Sequence, residues 1–542
     1  MDAARADQAP EGNGQIPFTF RIGVTGHREF TEPEAVRAAV RDAIRQLKEF
    51  LPISADQGLV LTVVSPLAEG ADRLVAEEVL AEEGARLEVA MPMATDDYLR
   101  DFEDESSKQE FKSLLERASH VWQVPAGSYR EHGYEQAGRY VVDRSDAVIA
   151  IWDGKPPRGH GGTGYIVQYA RHRKVTLIVV GVDGDPSVRF DQKPPAVLPG
   201  VAREMARYNT RTVDDAKFHR QLSELQSKLL PGTPAGTATD ALGASRDRVA
   251  EWLFPYFARA EVLARDRQKW FMRLSPLIFL LAAAAVVVVA AQSNFRWSEW
   301  IDVLEVIFLG AVVGIILANR RKHFRDRWIS YRFLAERLRS TYFLTLAGVS
   351  GESGSPTRRM TTANSSQAWV ERALLEIIGT RPEQPTGIAP PVVTLRGYLS
   401  QYWIEDQRQY LEKTSHRQHK LEEQLTHRTI ALFVVTALVA IFHVISYALG
   451  YKTGDDLVVT FSISVPAIGA AVHGLNAQRQ YGRHAERYRR VAEQLGLVHD
   501  AMEKAGSLDR VRRYAAKTER ILLQENSDWF GVMRFLDMEL IT

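Results

Sequence analysis

LSPLIFLLAAAAVVVVAAQSNF, residues 274–295, decides how the rest of the chain must be read. It carries no charged residue and consists mainly of Leu, Ala and Val. At about 1.5 Å per helical residue it is long enough to cross a hydrocarbon core of roughly 30 Å. Three more apolar runs follow, at 303–318, 429–449 and 457–474. The first and third runs read as transmembrane helices on their own. The second is short and contains Glu305, and the fourth contains Pro466 and several serines, so each alone also fits a buried helix. Each comes directly after a strong span, and a hairpin is the simplest reading of both pairs.

Lys and Arg near the ends set the orientation. Arg265, Arg267, Lys269 and Arg273 precede the first run, and Arg320, Arg321, Lys322, Arg325 and Arg327 follow the second. Lys413, Arg417, Lys420 and Arg428 precede the third, and Arg479, Arg483, Arg487, Arg489 and Arg490 follow the fourth. The connections inside the hairpins hold only Arg296 and Lys452. Both hairpins are therefore expected to return to the cytoplasm, with both termini there. Trp270, Trp297, Trp300, Tyr447 and Tyr451 stand near the ends, where amphipathic rings favour the headgroup layer.

The two halves of this region repeat. YRFLAERL begins at Tyr331 and YRRVAEQL at Tyr488, an offset of 488 − 331 = 157. The same offset brings Arg273 close to Arg428 and lays the second run on the fourth. Gly310 and Gly314 map onto Ala467 and Ala471, small residues four apart that let helices approach closely in lipid, within or between chains. A duplication explains the pattern. Helix 398–424 is expected ahead of the third run, and the Gly/Ser/Pro-rich stretches 348–366 and 381–391 read as linkers.

The bulk composition excludes several classes. In 542 residues, 68 basic side chains balance 67 acidic ones, so global charge does not point to nucleic acid, and none is expected as a partner. There is no cysteine, which rules out disulfides, thiolate metal sites and a cysteine nucleophile. No metal site is expected. Residues 1–15 are polar and acidic, unlike a signal peptide, and read as a disordered tail.

Ahead of the membrane region, strands and helices alternate. Strands are expected at 18–24, 60–64, 87–90, 120–124, 147–151 and 175–182, with helices at 32–51, 71–83, 134–144 and 165–172. This order implies an α/β doubly wound, Rossmann-like parallel sheet, joined to an all-α membrane region of four transmembrane helices in two repeated hairpins. Residues 190–208 look irregular and 214–230 helical.

Ligands of such sheets bind beyond the carboxyl ends of the strands, and the unusual residues collect there. The first strand runs into Gly26, His27 and Arg28, and the second into Ser65, Glu69, Gly70, Asp72 and Arg73. The 147–151 strand runs into Trp152 and Asp153, and Gly161, Gly162, Thr163 and Gly164 precede the next helix. Glycines at a helix N-terminus let backbone N–H groups reach a phosphate. Arg28 and Arg73 fit charge-assisted bonds to it. Asp72, Asp153 or Glu69 fits ribose hydroxyls, and Trp152 fits a base. Asp72 equally fits a helix cap, and Asp153 an ordinary turn. The convergence of several such loops on one sheet edge points to a nucleotide-derived ligand.

IGVTGHR at 22–28, SPLAEGADRLVA at 65–76, SDAVIAIWDG at 145–154 and GGTG at 161–164 resemble the SLOG superfamily, which includes the LOG phosphoribohydrolases and DprA-like proteins. The paired runs followed by YRxxAExL resemble SLATT domains, two-helix membrane modules. The resemblance implies a SLOG-like domain at 15–185 after a tail at 1–14, and a connecting segment at 186–248. It then implies a SLATT-like unit at 249–347, a linker with a short helix at 348–395, and a second unit at 396–542. It further implies a bacterial inner-membrane protein that senses a nucleotide-derived ligand, such as an ADP-ribose species or cyclic nucleotide, and acts on the lipid bilayer as a defence effector. Where LOG hydrolases carry PGGxGTxxE, Tyr165 replaces the threonine and Gln168 the catalytic glutamate. A glutamine is no general base, so no catalytic residue is assigned and a sensor is favoured over an enzyme, although another carboxylate such as Asp72 fits that role. A membrane-tethered hydrolase and a nucleotide-regulated channel or transporter are the alternatives. For a transporter the pointers are the ionisable groups Glu305, His443 and His473. Four helices per chain are few for a pore, which implies a homo-oligomer.

Overall fold

The computed structural model describes residues 13–124, 129–157, 159, 161–182, 186–230, 241–295, 299–349, 365–382, 390–449 and 455–534. Most of the expected N-terminal tail and both hairpin connections, with Arg296 and Lys452, lie outside them. The chain forms two compact units, Met1–Thr212 with Gly351–Glu383, and Val213–Ser350 with Gln384–Thr542.

The first unit is built on β1 (Phe18–Gly26), α1 (Pro33–Glu49), β2 (Leu59–Ser65), α2 (Ala71–Leu80), β3 (Arg86–Met91), α3 (Thr95–Tyr98), α4 (Glu105–Glu116), β4 (His120–Gln123), α5 (Arg130–Arg144), β5 (Ala147–Ile151), α6 (Thr163–Arg173), β6 (Thr176–Val180), β7 (Val188–Gln192) and α7 (Leu198–Asn209). The strands form one sheet in the order β4-β3-β2-β1-β5-β6-β7, parallel throughout except for β7. β5 reads AVIAI and is buried along its whole length, as a central parallel strand covered on both faces must be. Successive residues of a strand point to opposite faces. A Cβ at Gly23 would meet Val141 and Ser145 at the end of α5, whereas one at Gly26 would meet Ala71 at the start of α2. Helices therefore cover both faces.

Two elements differ from the expectation. The stretch that looks irregular, 190–208, holds the end of β7 and nearly all of α7. β7 is an antiparallel edge strand whose half-exposed, charged sequence VRFDQ lacks an apolar run. α7 is held by Asn209, whose Oδ1 accepts the Ile16 N–H (2.9 Å) while its Nδ2 donates to the Ile16 carbonyl (2.7 Å).

The second difference is a helix from far along the chain, Ser365–Gly379 (α12), which belongs to this first unit. Trp369 and Arg372 are fully buried. The Arg372 guanidinium donates to both oxygens of Asp146 (2.6 and 2.8 Å) and to the Thr19 carbonyl. Glu376 lies 2.8 Å from Arg372 and 3.6 Å from Arg21, and Arg21 and Arg144 both donate to Glu88 at 3.0 Å. This buried network of alternating charges sits at the amino ends of the central strands, opposite their carboxyl ends.

The second unit is helical. It comprises α8 (Asp215–Leu229), α9 (Ala241–Phe295), α10 (Asp302–Lys322), α11 (Phe324–Leu346), α13 (Val392–Leu399), α14 (Asp406–Ala448), α15 (Asp455–Arg479), α16 (Tyr481–Glu503) and α17 (Leu508–Arg534), with a π-helical turn at Ser400–Glu405. Among the described residues, four helices are long and apolar enough to cross a membrane. In two of them only 6% of the most apolar window is buried, and Val306, Ile307, Phe442, Val444 and Ile445 are exposed. Such a surface is stable only against lipid or another apolar partner. α9 and α14 run unbroken from charged sequence into apolar sequence. A Cβ added at Gly310 or Gly314 would meet nothing within 4 Å, so this small-residue face is open among the described residues.

Two non-glycine residues break the helices in the same way. His323 separates α10 from α11 at φ 46°, and Gln480 separates α15 from α16 at φ 46°. Their offset is 480 − 323 = 157, the offset of the sequence repeat. Beyond each break the same face is buried, with Leu334, Ala335 and Leu338 in one helix and Val491, Ala492 and Leu495 in the other. Arg332–Glu336 and Arg489–Glu493 pair one turn apart at matching positions.

Candidate functional site

The chain leaves β1 in one direction, through β2 and β3 to β4, and leaves β5 in the other, through β6 to β7. β1 and β5 are neighbours, so the loops at their carboxyl ends part and leave a crevice. A cavity of about 420 Å³ opens there, within the range of small-ligand sites.

The loop after β1 forms one wall. A Cβ at Gly26 would lie 2.3 Å from that of Ala71, so only glycine lets α2 begin this close to the sheet. His27 extends the β1–β5 pairing by donating its N–H to the Ile151 carbonyl (3.1 Å), and its own carbonyl accepts from Ala71 (3.0 Å). The His27 Nε2 lies 3.2 Å from both the N–H and Oδ1 of Asp153. Unprotonated, that nitrogen accepts the amide; protonated, it donates to the carboxylate. Burial pushes the Asp153 carboxyl up, but the Lys155 N–H (3.0 Å), the Lys155 ammonium (3.1 Å) and His27 outweigh it and hold the carboxyl at about 2. Arg28 is exposed at the cavity and has no carboxylate partner among the described residues.

The loop after β2 supplies a second wall and the most unusual group. Asp72 is 6% exposed and accepts the Ala68 N–H at 3.2 Å. Burial pushes its carboxyl up to about 7, against the opposing pull of that N–H and of Arg28 and Arg73. Beside it Tyr98 is fully buried, and its hydroxyl has no hydrogen-bond partner among the described residues. Burial, and then the Asp72 charge, push that hydroxyl well above its ordinary range. A buried polar group without a partner has lost water and gained nothing in return, and both groups line the cavity.

α5 contributes Glu131, Tyr134 and Gly138. Tyr134 donates to Asp101, and burial, with that bond, pushes its hydroxyl up to about 12. The last wall is Gly161, Gly162, Thr163 and Gly164, with Gly162 capping α6. The first N–H groups of a helix have no partner within it and offer an anion site.

Ten of the expected residues thus line one cavity: Gly26, His27, Arg28, Asp72, Trp152, Asp153, Gly161, Gly162, Thr163 and Gly164. The other four do not. Ser65 donates to the Asp72 carbonyl and accepts from Leu67 N–H. Gly70 holds φ 79° in front of α2, where a Cβ would sit 2.1 Å from the Arg28 carbonyl. Arg73 is buried, donates to the Leu67 carbonyl (3.1 Å), Ser107 (2.9 Å) and Glu110 (2.7 Å), and stacks on Phe102. Glu69 accepts from Ser107. Arg73 and Glu69 therefore brace the loop on α4 instead of meeting a ligand.

Trp152 is 9% exposed, packs in the core with Val167 and Ala170, and donates Nε1–H to the Lys155 carbonyl (3.1 Å). With Arg171 over its ring it offers a wall and not an open stacking plane. Gln168 is exposed on α6, one turn beyond Gly164, and does not line the cavity. Its identity therefore does not decide the chemistry inside. Tyr98, Glu131, Tyr134 and Lys155 also line the cavity, without a sequence motif to mark them. Tyr98 and Tyr134 come from helices, whereas the motifs lie at strand ends. Their one local signal is the small-residue face Gly133, Ala137 and Gly138 that lets α5 come close, with Ile166 against Gly138. Among the described residues no cluster of His, Asp or Glu is placed to hold a metal ion.

The cavity lining thus combines groups that attract an anion, Arg28 and the α6 N-terminus, with carboxyl groups that can accept from hydroxyls, Asp153 and Asp72. Residues 398–529 match the family model described as SMODS and SLOG-associating 2TM effector domain 1. The match covers the third and fourth apolar runs and the helices around them, and suggests a membrane-associated effector of the kind found in defence systems. No curated protein matches the chain.

Proposed function

We propose that this chain is a membrane-bound sensor and effector. Its sheet-edge cavity binds a nucleotide-derived ligand, such as an ADP-ribose species or a cyclic nucleotide, and its apolar helices act on the bilayer, as a pore in bacterial anti-phage defence. The observation that carries the reading is a cavity lined by Arg28, a helix N-terminus and two carboxyl groups at the switch point of a parallel sheet, in one chain with a match to a two-transmembrane effector domain. Phosphate sits against Arg28 and the α6 N-terminus, and ribose hydroxyls donate to Asp153. The helices cross the inner membrane four times in two duplicated hairpins, with both termini cytoplasmic. The shared 157-residue offset of the His323 and Gln480 breaks supports the duplication. The open Gly310/Gly314 face supports assembly of several chains. Ligand binding acts by favouring one arrangement of the helices over another, which requires different affinities for the two.

The test uses the full chain in detergent and in dye-loaded liposomes, with a panel of nucleotides, cyclic dinucleotides and ADP-ribose derivatives. A ligand that raises the melting temperature, is recovered intact and triggers dye release is the expected result. Absence of any stabilising ligand across the panel would sink the sensor reading. A second reading, a membrane-tethered hydrolase, is favoured by the Asp72 carboxyl near 7 in the cavity lining, a group suited to moving a proton at neutral pH. Mass spectrometry of the same mixtures decides it, since an enzyme consumes its ligand.

A further inference from the structure

The helical unit holds a second, unrelated cavity of about 150 Å³ where α9, α11, α14 and α16 meet beside the end of α15. Three arginines line it, Arg332 from α11, Arg417 from α14 and Arg479 from α15, and no Asp or Glu does. Arg332 has Glu336 on its own helix, at 3.5 Å. Arg417 has no carboxylate partner among the described residues. Arg479 contacts the sulfur and the carbonyl of Met272 and the ring of Phe271, none of them an anion, and its Nε is buried and unbonded. In the same wall the buried Gln418 Oε1 has no donor. A side-chain amide turned over presents its NH2 instead. Arg417 is exposed and Arg479 half-buried, so two guanidiniums without a carboxylate partner among the described residues face one cavity, and their positive field attracts an anion.

Position narrows the ligand. Arg479 stands five residues beyond the 457–474 apolar run, about 7 Å along the axis. On α9 the wall residue Phe271 comes three residues before Leu274, where the 274–295 run starts. This is the level of phospholipid headgroups, and basic pockets between helices at that level hold their phosphates. The volume lies below the roughly 300 Å³ of a small-molecule site, and it suits a single phosphate group.

We propose that this cavity binds a phosphate-bearing anion at the membrane surface, presented by a phospholipid headgroup or by a soluble phosphate. The test uses the full chain, delipidated in a neutral detergent, with its melting temperature followed in the presence of phosphatidylglycerol, of diacylglycerol with the same acyl chains, or of inorganic phosphate. Phosphatidylglycerol is expected to raise the melting temperature by several degrees where diacylglycerol does not. The Arg417→Gln/Arg479→Gln variant is expected to lose most of that gain, while Arg490→Gln, an exposed arginine outside the cavity, keeps it. Stabilisation by phosphatidylglycerol alone identifies a headgroup, and equal stabilisation by inorganic phosphate identifies a soluble ligand. If neither stabilises the chain, or the double variant gains as much as the wild type, the proposal is wrong. If the double variant does not fold, Arg417→Gln alone carries the test, because it leaves no partner orphaned. Native mass spectrometry should then show at least tenfold less retained phosphatidylglycerol than in the wild type, and equal retention overturns the site.

Discussion

Replacing Asp72 by Asn tests whether the cavity carries a carboxyl kept for function at the expense of stability. The Asp72 carboxyl is pushed up to about 7 in the folded protein, against an ordinary 3.8, chiefly by burial. The folded state therefore binds this proton more tightly than the unfolded chain does. Its contribution to stability is complete below pH 3.8, shrinks as pH rises, and is lost once pH passes 7. At about 1.4 kcal/mol per pH decade, the full difference is on the order of 4 kcal/mol, of which roughly 1.7 kcal/mol has already gone by pH 5. Asn keeps an acceptor for the Ala68 N–H and does not ionise, so the D72N variant has no such slope. Thermal melts of the full chain and the variant, compared between pH 4.5 and 8, isolate the effect because every other titrating group is common to both. The variant should gain on the wild type steadily across that window, by a few kcal/mol at pH 8. A difference that stays flat within about 0.5 kcal/mol would refute the buried, proton-holding Asp72.

Three further outcomes are expected. Arg372→Ala leaves Asp146 buried without its cation and Glu376 with only Arg21 at 3.6 Å, which should cost about 3–5 kcal/mol; hydrogen exchange should show α12 and the start of β1 losing protection together. Arg28→Gln removes a charge-assisted bond to a bound phosphate, about 1.5–3 kcal/mol. Calorimetry should show a roughly ten- to hundredfold loss of affinity for the stabilising nucleotide with an unchanged melting temperature, since Arg28 is exposed and has no ion-pair partner among the described residues. Gln480→Gly relieves a left-handed residue worth about 1–2 kcal/mol, against about 0.5–1 kcal/mol of added unfolded-chain freedom. Its melting temperature should hold or rise, and a fall of the size normal for glycine within a helix would show that the break is not held at positive φ.

Much of this architecture was legible in local pattern. Uncharged apolar runs mark helices able to cross a bilayer, continuous Val/Ile/Leu runs mark buried parallel strands, and glycines after strands mark the loops that line the cavity. Each signal lies within about twenty residues, because helix and strand periods repeat over a few residues. The 157-residue offset was also visible in the sequence, because YRFLAERL and YRRVAEQL repeat a local pattern of letters.

What only the tertiary structure decided depends on partners distant in sequence. Arg372 reads as an ordinary charge on a short helix between two linkers, until Asp146, 226 residues earlier, makes it a buried anchor. Arg28 and Arg73 look alike as candidate phosphate ligands, yet one is exposed at the cavity and the other is taken by Ser107 and Glu110 of α4. Tyr98 carries no signal of its own, and it matters because the fold buries its hydroxyl beside Asp72. Electrostatic and packing roles depend on what surrounds a side chain in space. A one-dimensional period records which way a residue points, but only the folded chain supplies what it meets there.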